Sequence, residues 1–192
     1  GSQGKKDYID GRAEQETEGE KYEKERTEEE IYQIELQKAN LRLASAKKGT
    51  SEYAEALAAK LKLEQEHAQK IRELSVKANV DNIEDEKRKL VNENAVFELQ
   101  YEANTISKKR LLELEIDNII KRKELEKQAL AEQLKLVENN NAEQVKLKRA
   151  SNQKIEQLDL ELMRKEIELQ KQKRVSCKRA EEHTTELQSH SE

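Results

Sequence analysis

The chain has no proline and no tryptophan, and it has a single phenylalanine, Phe97, and a single cysteine, Cys177. Proline normally marks some of the turns that a compact domain needs. Its absence, with Leu, Ile, Val and Ala recurring at three- and four-residue steps, reads as helix almost throughout. Aromatic residues make up only 3% of the chain, and no stretch alternates β-branched or aromatic residues with polar ones, which excludes a strand-built core. A lone thiol excludes an intrachain disulfide, so no oxidising compartment is required. No apolar run approaches the roughly 20 residues that span a bilayer, and residues 1–30 contain no apolar signal-peptide core. Four of the five glycines, Gly1, Gly4, Gly11 and Gly19, crowd the start of the chain, and only Gly49 lies beyond them. The opening Gly1-Ser2 pair reads as a cloning scar, so an excised piece of a longer protein is expected.

What the chain has instead is charge, with 41% Asp, Glu, Lys and Arg against 34% apolar residues. Ala, Glu, Lys, Leu and Arg at heptad spacing are the signature of long helices or coiled coil. The net charge of only −4 and the sustained periodicity argue against full disorder. Residues 1–26 and residues 175–192 each carry −2, which leaves the long middle at zero. A rod that binds nucleic acid would need a basic excess to displace phosphate counterions, so no nucleic-acid partner is expected. The clusters Lys108–Arg110, Lys121–Lys123 and Lys146–Arg149 have Glu nearby and read as solvated helix faces.

Residues 1–26 form no apolar stripe and read as a disordered charged leader. The first stripe runs Tyr32, Leu36, Ala39, Leu43, Ala46. It stops at Lys47-Lys48-Gly49-Thr50-Ser51, where lysines meet the negative helix end, Gly49 can turn left-handed, and Thr50 or Ser51 can cap a new helix. The next helix carries an early seam, Leu57, Leu61, Glu64, Ala68, Ile71. A later seam runs Val76, Val80, Ile83, Lys87, Leu90, Asn94, Phe97, Tyr101, with the register changing around residues 78–82. Asn104 is a candidate for the left-handed conformation, and Ser107 for the cap that follows it. The third stripe includes Leu112, Ile116, Ile119, Leu130 and Leu134, interrupted by Lys123 and Glu126. Asn139-Asn140-Asn141 reads as another left-handed turn. The last stripe holds Ile155, Leu158, Leu162, Lys165 and Leu169, and beyond Arg174 a loose polar tail is expected.

The expected fold is all-α: long charged helices paired as coiled coil or antiparallel hairpins in an elongated rod. One hairpin spans 27–103 with its turn near 49, the other spans 107–174 with its turn near 139–141, and a joint lies near 105. Short connections place consecutive helices antiparallel and adjacent. A lone helix with one apolar stripe has little to bury, so pairing within or between chains is expected.

The same pattern offers no catalytic constellation. Catalysis needs groups converging on a concave site, and the carboxylates here have Lys or Arg three or four residues away, as on a solvated helix face. His67 has no second His or Cys at ligand spacing and reads as a helix-surface histidine. His183 and His190, with Glu181, Glu182 and Glu186 nearby, read as tail residues that bind metal only adventitiously. No glycine-rich phosphate loop, paired-cysteine motif or nucleophile elbow is present. A non-enzyme with no cofactor, metal or small-molecule substrate is expected.

Two segments carry a resemblance. Ala39-Asn40-Leu41 through Lys47-Lys48-Gly49-Thr50-Ser51-Glu52-Tyr53-Ala54 resembles a helix-turn-helix signature of bacteriophage tail tape-measure proteins. Phe97-Glu98-Leu99-Gln100-Tyr101-Glu102-Ala103-Asn104-Thr105-Ile106-Ser107, followed by Leu111-Leu112, is similar to a recurrent element of the same proteins. Glycine is more usual at the place of Asn104, and an acidic-Tyr pair at the place of Lys108–Arg110. The resemblance covers roughly residues 31–174 and implies a helical spacer that sets tail length, with self-association or other tail proteins as partners. It implies a location in the virion tail, or in the bacterial cytoplasm during assembly. No individual functional residue transfers, because such a spacer acts through length and helicity. The competing expectation is a cellular, cytoplasmic coiled-coil scaffold that binds partner proteins through its apolar stripes.

Overall fold

The computed structural model describes the backbone of residues 18–191 and the side chains of residues 27–188. Four helices account for nearly all of it: α1 (Glu18–Ser45), α2 (Ser51–Glu102), α3 (Lys108–Leu134) and α4 (Asn141–Ser191). The described residues contain no strand, and the fold is all-α.

Each turn is made by local chemistry. After α1, Gly49 takes φ +86°, a conformation that places a Cβ too close to the following carbonyl oxygen. Thr50 then caps α2: its Oγ1 accepts from the Tyr53 N–H at 3.2 Å and donates to the Lys47 carbonyl at 2.6 Å. Nothing lies within 4 Å of a Cβ built on Gly49, so any cost of substitution there is conformational. Gly49→Val is expected to lower the stability of this hairpin by about 1–2 kcal/mol. Gly49→Asn should be milder, since Asn tolerates the left-handed region. Thermal melts of the two variants check the ranking, and a stabilising Gly49→Ala would mean that α1 and α2 are one continuous helix.

α2 ends in a Schellman motif. Asn104 sits at φ +58° as the left-handed residue, the Asn104 N–H donates to the Tyr101 carbonyl at 3.0 Å, and the Thr105 N–H reaches back to that of Gln100 at 2.9 Å. Ser107 caps α3, its Oγ accepting from the Arg110 N–H at 3.0 Å. The third turn differs from expectation. Among the described residues only Gly49 and Asn104 have positive φ, so Asn139–Asn141 form no left-handed turn. Asn140 is instead the N-cap of α4, accepting from the Glu143 N–H at 3.2 Å, while the Gln144 amide donates to the Val137 and Glu138 carbonyls. Asn serves a cap as readily as a left-handed turn, and the residue type alone does not separate the two roles.

Two end assignments also change. Residues 18–26, expected in the leader, belong to α1, while residues 1–17 lie outside the described residues. The expected tail from Val175 continues α4 to Ser191. Ser176, Thr184 and Thr185 each donate their hydroxyl to the carbonyl four residues earlier. Loss of an apolar stripe is not a stop signal, and no Gly, Pro or Asn follows Asn152 to end the helix.

The chain divides into two units at Ile71/Arg72, within α2, rather than at the 103–107 joint expected between hairpins. In the first unit α1 pairs antiparallel with the start of α2. Tyr32, Leu36, Ala39 and Leu43 of α1, and Ala46 just after it, are half-buried. Across from them the expected α2 seam is out of phase: Leu57 and Leu61 are 38% and 48% exposed. The helix buries Ala56 and half-buries Tyr53, Lys60, Leu63 and His67, a stripe about one residue round the cylinder, and of the expected seam only Glu64 is half-buried beside it. The Tyr32 ring stacks on the His67 imidazole at 3.5 Å and 5° between planes, Glu29 lies 3.3 Å from His67 Nε2, and Lys70 pairs with Glu28 at 2.9 Å. The small Ala56 admits close approach of α1, and the long Lys60 lays its stem along the seam.

In the second unit α3 lies antiparallel to both of its neighbours. It pairs with α2 through Asn79–Glu132 and Lys87–Glu126, and with α4 through Glu115–Lys165 and Lys123–Asp159. Val76 and Ile83 are buried, and Val80, Lys87, Leu90, Asn94 and Phe97 are half-buried. Leu111, Leu112, Ile119, Leu125 and Ala129 of α3 are buried, with Ile116, Leu130 and Leu134 half-buried. On α4 Ile155, Leu158, Leu162 and Leu169 are half-buried. Tyr101 leaves the expected seam: it is exposed at the turn, where the Lys108 ammonium sits 5.1 Å from its ring centroid.

Candidate functional site

The most distinctive feature of the second unit is a ladder of buried polar contacts carried by α3. Glu115 and Asn118 are nearly inaccessible, although both are polar and one is charged. Such groups are tolerated only when hydrogen-bonded or paired. Asn118 donates through Nδ2 to the Leu90 carbonyl of α2 at 2.7 Å, and its Oδ1 accepts from Arg122 Nε at 2.9 Å. Arg122 in turn reaches Glu161 of α4 at 3.2 Å, so one chain of contacts ties three helices together. Glu115 meets Lys165 of α4 at 2.7 Å, and Lys123 meets Asp159 at 2.6 Å. On the other side Glu126 meets Lys87 of α2 at 2.7 Å, and Lys87 also holds Glu84 at 3.0 Å.

The electrostatics follow from this packing. Burial pulls the Lys87 ammonium toward deprotonation, but hydrogen bonds and charge from Glu126 and Glu84 overcome it, and its pKa stands above the ordinary lysine value. Lys165 behaves alike: burial lowers it, and Glu115 with its neighbouring carboxylates raises it further than burial lowers it. Glu132, hydrogen-bonded first by Lys135 and then by Asn79, is held below the usual carboxylate range.

Lys87, Glu126, Lys123 and Lys165 interrupt the apolar stripes of the sequence, and the structure brings all four into the ladder. Glu115, Asn118 and Arg122 were not among the expected seam residues. They belong to a second heptad series on α3, residues 111, 115, 118, 122, 125, 129 and 132, which steps by four and three throughout. Polar residues at three successive places hid it. Two polar atoms, Asn94 Oδ1 of α2 and Ser151 Oγ of α4, are buried without a hydrogen-bond partner. Ser151 lies in a crevice where Lys87 of α2, Glu126 of α3 and Lys154 of α4 converge.

The turn residues Gly49, Thr50, Asn104, Ser107 and Asn140 shape the connections and do not meet in one place, while Ser51 opens α2 beside its cap. Among the described residues no group of three or more His, Cys, Asp or Glu side chains is gathered to hold a metal ion, and no helix is long and apolar enough to cross a membrane. Chemically the ladder can hold register and partner choice between helices, since a polar group in a seam is satisfied in one alignment and stranded in others. Comparisons with protein-family models, curated proteins and solved structures find no match to this chain.

Proposed function

We propose that this chain is a non-catalytic helical spacer that sets length in a phage-type tail. The observation that carries the reading is the pair of turn segments, Lys47–Ser51 and Asn104–Ser107. They are the segments that resemble tape-measure proteins, and they join long, charged, proline-free helices. Helix rises about 1.5 Å per residue, so residue count converts linearly into length. On that scale the 27 residues of α3 are worth about 40 Å and the 51 of α4 about 77 Å. Polar contacts between the helices suit a segment that is stored folded and used extended, because exposed charges return to water at little loss. Its partners would be other copies or other tail proteins, in the virion tail or in the bacterial cytoplasm during assembly.

The test is a series of in-frame deletions within residues 107–174 of the parent protein, with tails measured by electron microscopy. Tail length should fall by about 1.5 Å per residue removed if this segment is extended, and by half of that or less if the hairpins persist. Lys121→Gln should leave length unchanged, because Lys121 is exposed and only count and helicity are read. Tails of constant length across the series would overturn the spacer and leave a coiled-coil scaffold as the reading.

A further inference from the structure

The turn between α3 and α4 differs in kind from the other two. Gly49 and Asn104 lock theirs with a positive φ, whereas no residue from Lys135 to Asn140 has one. Lys135 sits at φ −60° and ψ −27°, within the helical region. The N–H groups of Lys135, Leu136, Val137 and Asn140 each donate to the carbonyl three residues back, at 3.0–3.2 Å. Such bonds make a tightened helix, and ordinary helical bonding resumes where the Gln144 N–H reaches the Asn140 carbonyl. The heptad spacing also passes through the turn unbroken. Leu130, Gln133, Val137, Asn140, Gln144 and Leu147 step by three and four in strict alternation. Neither Gly nor Pro stands here to break a helix. What bends the chain is three consecutive asparagines, poor helix formers, with Asn140 as the cap of α4.

We propose that this turn is a hinge at which two copies of the chain exchange their last helices. In each copy α3 and α4 become one helix, and the α4 of one lies antiparallel on the α3 of the other. The contacts already made on α3 identify the occupant. Glu115–Lys165, Arg122–Glu161 and Lys123–Asp159 lie symmetrically about residues 140–142, so a two-fold axis at the hinge re-forms each pair between chains. A second copy therefore offers α3 the same side chains that it accepts within one chain. Detachment is easier for α4 than for α3. Among the described residues none of the apolar side chains of α4 is fully buried, whereas α3 encloses Leu112 and Ile119 completely. Closed monomer and exchanged dimer share the α3–α4 contacts, so protein concentration sets the balance between them. The asparagines hold that balance toward the monomer, because a continuous helix must accommodate all three. The inference is independent of the spacer reading, because it concerns only chains in solution.

Combining Asn139→Ala, Asn140→Ala and Asn141→Ala in the full chain should tighten dimerisation by about tenfold or more in sedimentation equilibrium under reducing conditions. Alanine removes the cap that the closed turn needs and favours the continuous helix, and circular dichroism should show the helices retained. The decisive test exchanges charge between chains. In a closed chain Lys123→Glu meets Asp159 with a like charge, and Asp159→Lys meets Lys123 likewise. An exchanged dimer with one chain of each kind restores both pairs, one of them with its signs reversed. The two variants are mixed, warmed to let α4 exchange, cooled, and read by native mass spectrometry. The mixed dimer should exceed the two like dimers together roughly three- to tenfold. Random exchange gives equal amounts, and dimers formed through any other face give no preference. The proposal is overturned if the triple variant associates no more tightly than the parent chain, or if the mixed dimer shows no excess.

Discussion

Replacing Ile119 by alanine should destabilise the unit formed by residues 72–191 by about 2–5 kcal/mol. Ile119 and Leu112 are fully enclosed, each at 0% exposure, and few other apolar side chains are buried in this unit. Truncation removes burial and leaves a cavity that three helices, spaced by their remaining contacts, close only in part. A loss of that size is a large fraction of the 5–15 kcal/mol by which domains are ordinarily stable, so the variant should melt early. Ile119→Val should cost only about 0.5–1.5 kcal/mol. The neighbouring Ile120, 50% exposed on the same helix, supplies the control, and Ile120→Ala should stay within about 0.5 kcal/mol of the parent. Urea denaturation of the three variants makes the comparison. Equal effects at 119 and 120 would mean that α3 does not sit between α2 and α4.

The second large effect is expected at Lys165. Its removal leaves the Glu115 carboxylate, whose side chain is 4% exposed, without its 2.7 Å partner. Stranding a buried charge in this way typically costs about 3–5 kcal/mol, whereas replacing both members by apolar residues is often neutral or stabilising. Lys165→Ala should therefore destabilise strongly, and Glu115→Leu with Lys165→Leu should recover most or all of the loss. A double variant no better than Lys165→Ala alone would show that apolar volume, and not the stranded charge, sets the penalty. The pH dependence has a definite sign. Because the Lys165 and Lys87 pKa values are raised on folding, their contribution is fully present below the ordinary lysine value of 10.5 and is lost as pH rises through the folded values. Urea melts should accordingly weaken as pH rises above 10.5, and less so in the double variant at 115 and 165.

Much of the architecture was legible because it is local. Gly49, Thr50, Asn104 and Ser107 act within one turn of themselves, through backbone conformation and capping, and those signals need no partner. The stripe from Tyr32 to Ala46 and the series from Val76 to Phe97 were legible for a related reason. Each is the series that keeps three- and four-residue steps longest in its segment, and it is the one the fold covers, while Ile34, Leu41, Val91 and Val96 stay exposed. Leu57 and Leu61 show where this fails. Two stripes about 100° apart compete on α2, one richer in leucine, and the stack of Tyr32 on His67 with the small Ala56 settles which one is covered. On α3 the failure is larger. A helix with neighbours on two sides needs two seams, and the second was written partly in Glu115, Asn118 and Arg122, whose value lies in atoms on other helices.

By itself, then, the sequence determined an all-α chain, the places of its three turns, and most of the faces that its helices bury. These follow from proline's absence, from capping chemistry and from a period near 3.6, all of which act between residues a few positions apart. Only the tertiary structure decided that α2 serves two units, that α3 stands between α2 and α4, and that buried charge belongs to the interior of the second unit. Those outcomes depend on residues as far apart as Glu115 and Lys165 or Asn79 and Glu132. A buried carboxylate is costly alone and acceptable beside an ammonium, so its place can be judged only when its partner's position is known.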